Sequence, residues 1–125
     1  MSQLIDGSMK AFVAGAVRAA NLRVKLSSGV LATAGVTDRD IGVQEVASLT
    51  TTEAVAVRLR NASGTVKMVA SGQISEAAPV YGAADGKVSA SQAQNSFMYG
   101  IAMEAAATDN DIIEVMPHAS GAAGT

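Results

Sequence analysis

Few residues of this chain carry reactive chemistry. His118 is the single histidine, and there is no cysteine. Without thiols, disulfide frameworks, cysteine-ligated zinc, iron–sulfur clusters and thiol nucleophiles are excluded together. A Ser–His–Asp relay or a histidine metal site would need His118 in a supported pocket. It stands instead beside Ala119-Ser120-Gly121-Ala122-Ala123-Gly124-Thr125, a run with nothing to bury, and reads as a solvated residue. Asp109-Asn110-Asp111 has the acidic opening of a calcium loop but neither the glycine nor the closing glutamate at the required spacing. It reads as a turn ahead of a strand over residues 112–115. Asp38 and Asp40 flank Arg39 and read as another solvated turn. No Gly-rich phosphate cradle leads into a helix, so nucleotide binding has no support. With two Phe, two Tyr and no Trp, platforms for stacking sugars are scarce. The residues point to no catalytic, cofactor-binding or metal-binding set.

One lysine needs separate weighing. Val66-Lys67-Met68 resembles the lysine–methionine pair at which biotinyl and lipoyl carrier domains are modified. Such a lysine must project from an exposed hairpin tip. Lys67 falls mid-strand in the local alternation, so a solvated lysine on the outer face of a strand is the favoured reading.

The elements that would position these residues are short. The chain has 125 residues and a net charge of -2, from 9 Lys+Arg against 11 Asp+Glu. That size predicts one compact domain or two very small ones, and the charge excludes capture of nucleic acid by phosphate neutralisation. Hydrophobic residues make up 49% and charged ones 16%, so the chain is not a disordered one. About one residue in five is Ala, which buries little apolar area per residue at roughly 25 cal/mol per Å². A lone monomer is therefore marginal, and burial against copies or a larger partner is the natural remedy. The longest nearly apolar stretch, residues 11–17, stops at Arg18, far short of the roughly 20 residues a bilayer needs. The opening residues, Met1-Ser2-Gln3-Leu4-Ile5-Asp6, lack the positive segment of a secretory signal.

Self-similarity organises the rest. Residues 6–17 lie over residues 63–74, aligning Gly7 with Gly64, Lys10 with Lys67 and Gly15 with Gly72. One residue further out of register, Ile41-Gly42-Val43 matches Tyr99-Gly100-Ile101, and Val55-Ala56-Val57 matches Ile113-Glu114-Val115. An offset of about 57 residues, close to half the chain, predicts a duplicated unit. Leu22-Arg23-Val24-Lys25-Leu26 alternates like a half-buried strand with its charges outward, and residues 55–60 do the same. Residues 65–70 put Val66, Met68 and Ala70 on one face and Lys67 on the other. Ser28-Gly29 and Asp85-Gly86 are turn pairs, the latter suited to a tight hairpin. Residues 97–107 include Met103-Glu104-Ala105-Ala106-Ala107, a helix-favouring run, but the counterpart at 41–47 reads as strand, and strand is assigned to both. The expectation is an all-β fold: an internally duplicated small β-barrel or sandwich of short strands. Residues 1–8 form an N-terminal arm, residues 9–118 a single β domain of two halves (about 6–62 and 63–119), and residues 119–125 a flexible tail.

The chain also resembles the small capsid decoration, or cement, proteins of tailed bacteriophages. The second half carries the likeness in Ser71-Gly72-Gln73-Ile74, Ala78-Pro79-Val80-Tyr81 and Ala84-Asp85-Gly86-Lys87-Val88. It continues through Gly100-Ile101-Ala102-Met103-Glu104-Ala105-Ala106 and Asp111-Ile112-Ile113-Glu114-Val115. The first half adds Lys10-Ala11-Phe12-Val13-Ala14-Gly15 and Val24-Lys25-Leu26-Ser27-Ser28-Gly29. The resemblance implies a non-enzymatic virion protein, made in the host bacterial cytoplasm, that sits on the outer surface of the head. It implies a homotrimer that bridges neighbouring subunits of the major capsid protein, with no cofactor, nucleic acid, membrane or small-molecule substrate. Leu4 and Ile5, apolar residues within the arm, are the expected capsid contacts. The other expectations are a generic β-rich surface module and, less favoured, a carrier domain modified at Lys67.

Overall fold

Period-2 alternation becomes ten β-strands in the computed structural model, which describes residues 9–60, 62 and 64–117. The strands are β1 (Met9–Val13), β2 (Leu22–Ser27), β3 (Val30–Thr33), β4 (Gly42–Gln44) and β5 (Ala54–Leu59). They continue as β6 (Val66–Val69), β7 (Pro79–Gly82), β8 (Val88–Ser89), β9 (Met98–Ala102) and β10 (Ile112–Pro117). A single 3-10 turn, Ala84–Gly86, is the helical element among the described residues. The fold is all-β, as the alternation predicts. Leu4, Ile5, His118 and residues 119–125 lie outside the described residues.

Two antiparallel five-stranded sheets have the orders β1-β5-β4-β2-β3 and β6-β10-β9-β7-β8. Advancing every strand of the first by five places produces the second. The lysine match of the sequence is one residue out of register: Lys10 pairs with Val57 on β5, whereas Lys67 pairs with Glu114, the counterpart of Ala56. Lys67 is thus equivalent to Ala11, and Lys10 to Val66. Elsewhere the repeat extends to individual residues. Gly42 lies opposite Leu59, and Gly100 opposite Pro117. A side chain is excluded at both glycines, because a Cβ would stand 2.0 Å from the Arg58 carbonyl oxygen in one case and 2.0 Å from that of Met116 in the other. Glu53 accepts the amides of Leu49 and Thr50 just as Asp111 accepts those of Ala107 and Thr108. Each carboxylate thereby closes the turn that leads into the last strand of its sheet.

Both sheets curl. The outer strands β1 and β3 of the first come into contact, and the parallel bridge Ala70↔Val88 ties the edge of the second. One apolar cluster, Ala14, Val24, Leu31, Val55 and Val57, fills the first sheet. The larger one fills the second around Met68, Ile74, Val80, Val88, Tyr99, Ile113 and Val115, and Val43 of the first sheet joins it. Val43 on β4 thus carries the first sheet into the interior of the second, while the two apolar clusters stay separate.

Three local expectations need correction. β9 stops at Ala102 and its counterpart β4 at Gln44; residues 103 and 104 are bends, and Ala106 makes an isolated bridge to Ile74. Helix propensity there yields to β10, because the Met103 amide donates to the Glu114 carbonyl and the Glu114 amide to the Glu104 carboxylate. Asp85-Gly86 is not a two-residue hairpin turn like Ser28-Gly29, though both pairs have positive φ. Its strands close at Gly82↔Val88, and the longer loop turns the Ala83 and Lys87 carbonyls toward Arg23. Finally, the alternation in β2 is inverted at its charge: Arg23 is 2% exposed, whereas Leu26 is 50% exposed. Arg23 points at the other half of the molecule, a covering that strand period alone does not contain.

Candidate functional site

The most concentrated charge in the described structure lies where the halves meet. Asp40 precedes β4, and its carboxylate is 2% exposed. One oxygen takes a hydrogen bond from the Arg23 guanidinium at 3.1 Å, the other from Arg60 at 2.6 Å. The remaining Arg23 donors go to backbone carbonyls: Nε to Lys87 at 3.0 Å, and one terminal nitrogen to Ala83 at 2.7 Å and Gly35 at 3.1 Å. Arg60 donates to the Met98 carbonyl at 2.8 Å and lies 4.3 Å from the centre of the Tyr99 ring. First-half side chains thus clamp three second-half carbonyls. Burial pushes the Tyr99 hydroxyl pKa well above its ordinary value, keeping it neutral at the edge of this cluster. Asp40 is no solvated turn residue, contrary to the sequence reading. A buried carboxylate is tolerable because a guanidinium meets each of its oxygens.

Asp38 lies beside it in a wetter setting. Lys25 approaches at 2.9 Å and the Gly35 amide donates at 2.8 Å. Lys25 first, and the amide second, hold the Asp38 carboxyl below the usual carboxylate range. Arg39, exposed between the two aspartates, lies with its guanidinium 4.4 Å from the centre of the Phe97 ring. Arg23, Asp38, Arg39, Asp40, Arg60 and Phe97 line a cavity of about 100 Å³.

A second polar network replaces part of the first-half core. Arg18 donates to the Thr33 hydroxyl at 2.8 Å, the Ala14 carbonyl at 3.1 Å and the Gln44 side-chain oxygen at 2.7 Å. The Gln44 amide donates to Ser48 Oγ and the Val46 carbonyl, and Ser48 Oγ donates to the Ala16 carbonyl. Burial lowers the Arg18 pKa from its ordinary value, with no carboxylate to oppose it. The equivalent places in the second half hold Ile74, Ala102 and Ala106, all buried. The same fold thus carries an apolar plug in one copy and a hydrogen-bonded one in the other.

The residues singled out by sequence are dispersed. Lys67 is exposed in mid-β6, opposite Glu114, and not at a hairpin tip. Lys10 lies 5.4 Å from the Phe12 ring on β1. Asp109 pairs with Lys87 at 3.1 Å, while Asp111 caps its turn, and the Thr108 and Ala107 amides hold its carboxyl below the usual range. Among the described residues, no group of three His, Cys, Asp or Glu is placed to hold a metal ion. Nor is any helix long and apolar enough to cross a membrane. Sequence reasoning missed Arg18, Arg23, Gln44 and Asp40 as buried groups, and half-buried Arg60 as a partner of Asp40. The one available signal was Arg18, which interrupts an otherwise apolar run.

Surface character differs between the copies. Val17 and Leu49 flank the isolated Arg18↔Ser48 bridge, one on each of its two segments, and are 68% and 78% exposed, with Val46 exposed nearby. The corresponding second-half positions are Gln73, Ala107 and Glu104, also exposed. No family model matches the chain, and no curated protein does.

Proposed function

We propose that this protein is a structural component of a tailed-phage head, which binds the outer surface of the shell and bridges neighbouring major capsid subunits as a homotrimer. The resemblance along both halves supports this reading. The observation that carries it is the contrast between the copies. One end of a duplicated scaffold exposes Val17, Val46 and Leu49, while the matching end exposes Gln73, Glu104 and Ala107. Solvation alone gives no reason to keep three large apolar side chains, exposed by 50–78%, at one end where the other exposes Met103, at 44%, whereas a module with one face on a shell and one in water does. Residues 1–8 lead into β1, an outer strand of the first sheet, and supply Leu4 and Ile5 as a further contact with the shell. Small side chains permit close approach between copies, and trimer burial supplements a light, alanine-rich core.

The test is co-sedimentation with purified heads that lack the protein. The full chain binds, and Val17→Ser/Leu49→Ser binds at least tenfold more weakly with its fold intact by circular dichroism. Removal of residues 1–8 reduces head binding while light scattering still shows a trimer. Equal binding by all three proteins would sink the assignment of the docking face. A full chain that ignores heads would sink the function itself. A stable monomer, with a melting temperature unchanged on dilution, refutes the trimer.

A further inference from the structure

The geometry points to the cavity between Arg39 and Phe97 as a binding site for one carboxylate. Arg39 makes no hydrogen bond or ion pair with any described residue; its one recorded partner is the Phe97 ring. A guanidinium held over an aromatic face keeps N–H donors free, and its fork can meet a carboxylate with two parallel hydrogen bonds. The other charges in the cavity are already matched. Asp40 is held by Arg23 and Arg60, and Asp38 by Lys25. Three guanidiniums and one ammonium therefore face two carboxylates, leaving an excess of positive charge in a chain that is negative as a whole.

Size and sign narrow the ligand. About 100 Å³ admits a carboxylate with one or two methylenes and excludes a nucleotide. The excess positive charge sets the ligand's sign as anionic, and the apolar ring of Phe97 favours a carboxylate bearing methylenes over phosphate. Phe97 supplies an apolar wall for the methylenes. A free small carboxylate and the side chain of a glutamate or aspartate share this chemistry. The site is independent of the docking face at Val17 and Leu49, and does not rest on the protein's being a capsid component.

The experiment follows the Arg39 side-chain Nε–H signal of the full-length protein by NMR while sodium acetate replaces sodium chloride at constant ionic strength. A saturable shift is expected, about tenfold weaker in affinity for Phe97→Leu, which keeps the charge but loses the platform. Arg39→Gln, followed through neighbouring backbone amides, loses the saturable change, and its melting temperature stays at the wild-type value because no ion pair is broken. N-acetylglutamate amide in place of acetate distinguishes the sources. Binding at least tenfold tighter than acetate assigns a protein side chain, and equal binding assigns a free carboxylate. A linear response, equal binding by inorganic phosphate, or unchanged binding by Arg39→Gln overturns the site.

Discussion

Asp40→Ala tests whether the halves are held together at the buried charge cluster. The substitution removes both acceptors of the cluster at once, leaving the Arg23 and Arg60 guanidiniums facing each other across a space the carboxylate had filled. Breaking a buried pair by deleting one partner costs about 3–5 kcal/mol. The share lost at Arg23 is the larger, because its side chain is only 2% exposed. Arg60 is 22% exposed and recovers part of its solvation. We expect a loss of about 4 kcal/mol, equivalent to roughly 10–20 °C in melting temperature for a chain of this size. Asp40→Asn keeps the shape but offers one acceptor to two cations, and loses nearly as much. Urea unfolding followed by far-ultraviolet circular dichroism measures both variants in low and high salt. The loss persists in 0.5 M salt (a Debye length of about 4 Å), since screening does not reach a buried pair. A loss below about 1 kcal/mol, or one that salt abolishes, would refute a clamp at this position.

Gly42→Ala and Gly100→Ala each destabilise by several kcal/mol, since the new methyl meets a backbone carbonyl, whereas Gly72→Ala, with open space around its Cβ, stays within about 0.5 kcal/mol in the same thermal melts. The carboxyls of Asp38 and Asp111 are depressed in the folded state. Their stabilisation is therefore complete above the unfolded carboxylate range, near pH 4, and is lost as the pH falls through the lower folded values. Asp111→Asn flattens that acid limb in unfolding curves between about pH 5 and 2, and an unaltered limb would count against the turn cap. Gln44→Leu alone costs about 2 kcal/mol by stranding a donor of Arg18. Arg18→Met/Gln44→Leu/Ser48→Ala, which approaches the apolar plug of the second half, returns to within about 1 kcal/mol of the parent in urea unfolding, and an additive loss would refute the comparison.

Much of this architecture is legible in the chain itself. Period-2 alternation and paired turn residues point to short antiparallel strands, and the self-match of Gly42 with Gly100 and of residues 55–57 with 113–115 foretells two sheets of one topology. These features are local or recur at a fixed offset, so they survive in one dimension. The interior polar chemistry does not. In β2, Arg23 and Lys25 look alike as members of one alternation, yet the first is buried against the Ala83 and Lys87 carbonyls and the second meets Asp38 at the surface. Asp38 and Asp40 divide the same way on either side of Arg39. Strand period fixes which residues share a face, but whether that face meets water depends on what the other half lays over it. Only the packing of one copy against the other supplies the carbonyls and counter-charges that make burial of Arg23 and Asp40 affordable, and so only the tertiary structure decides where the charge cluster and its cavity lie.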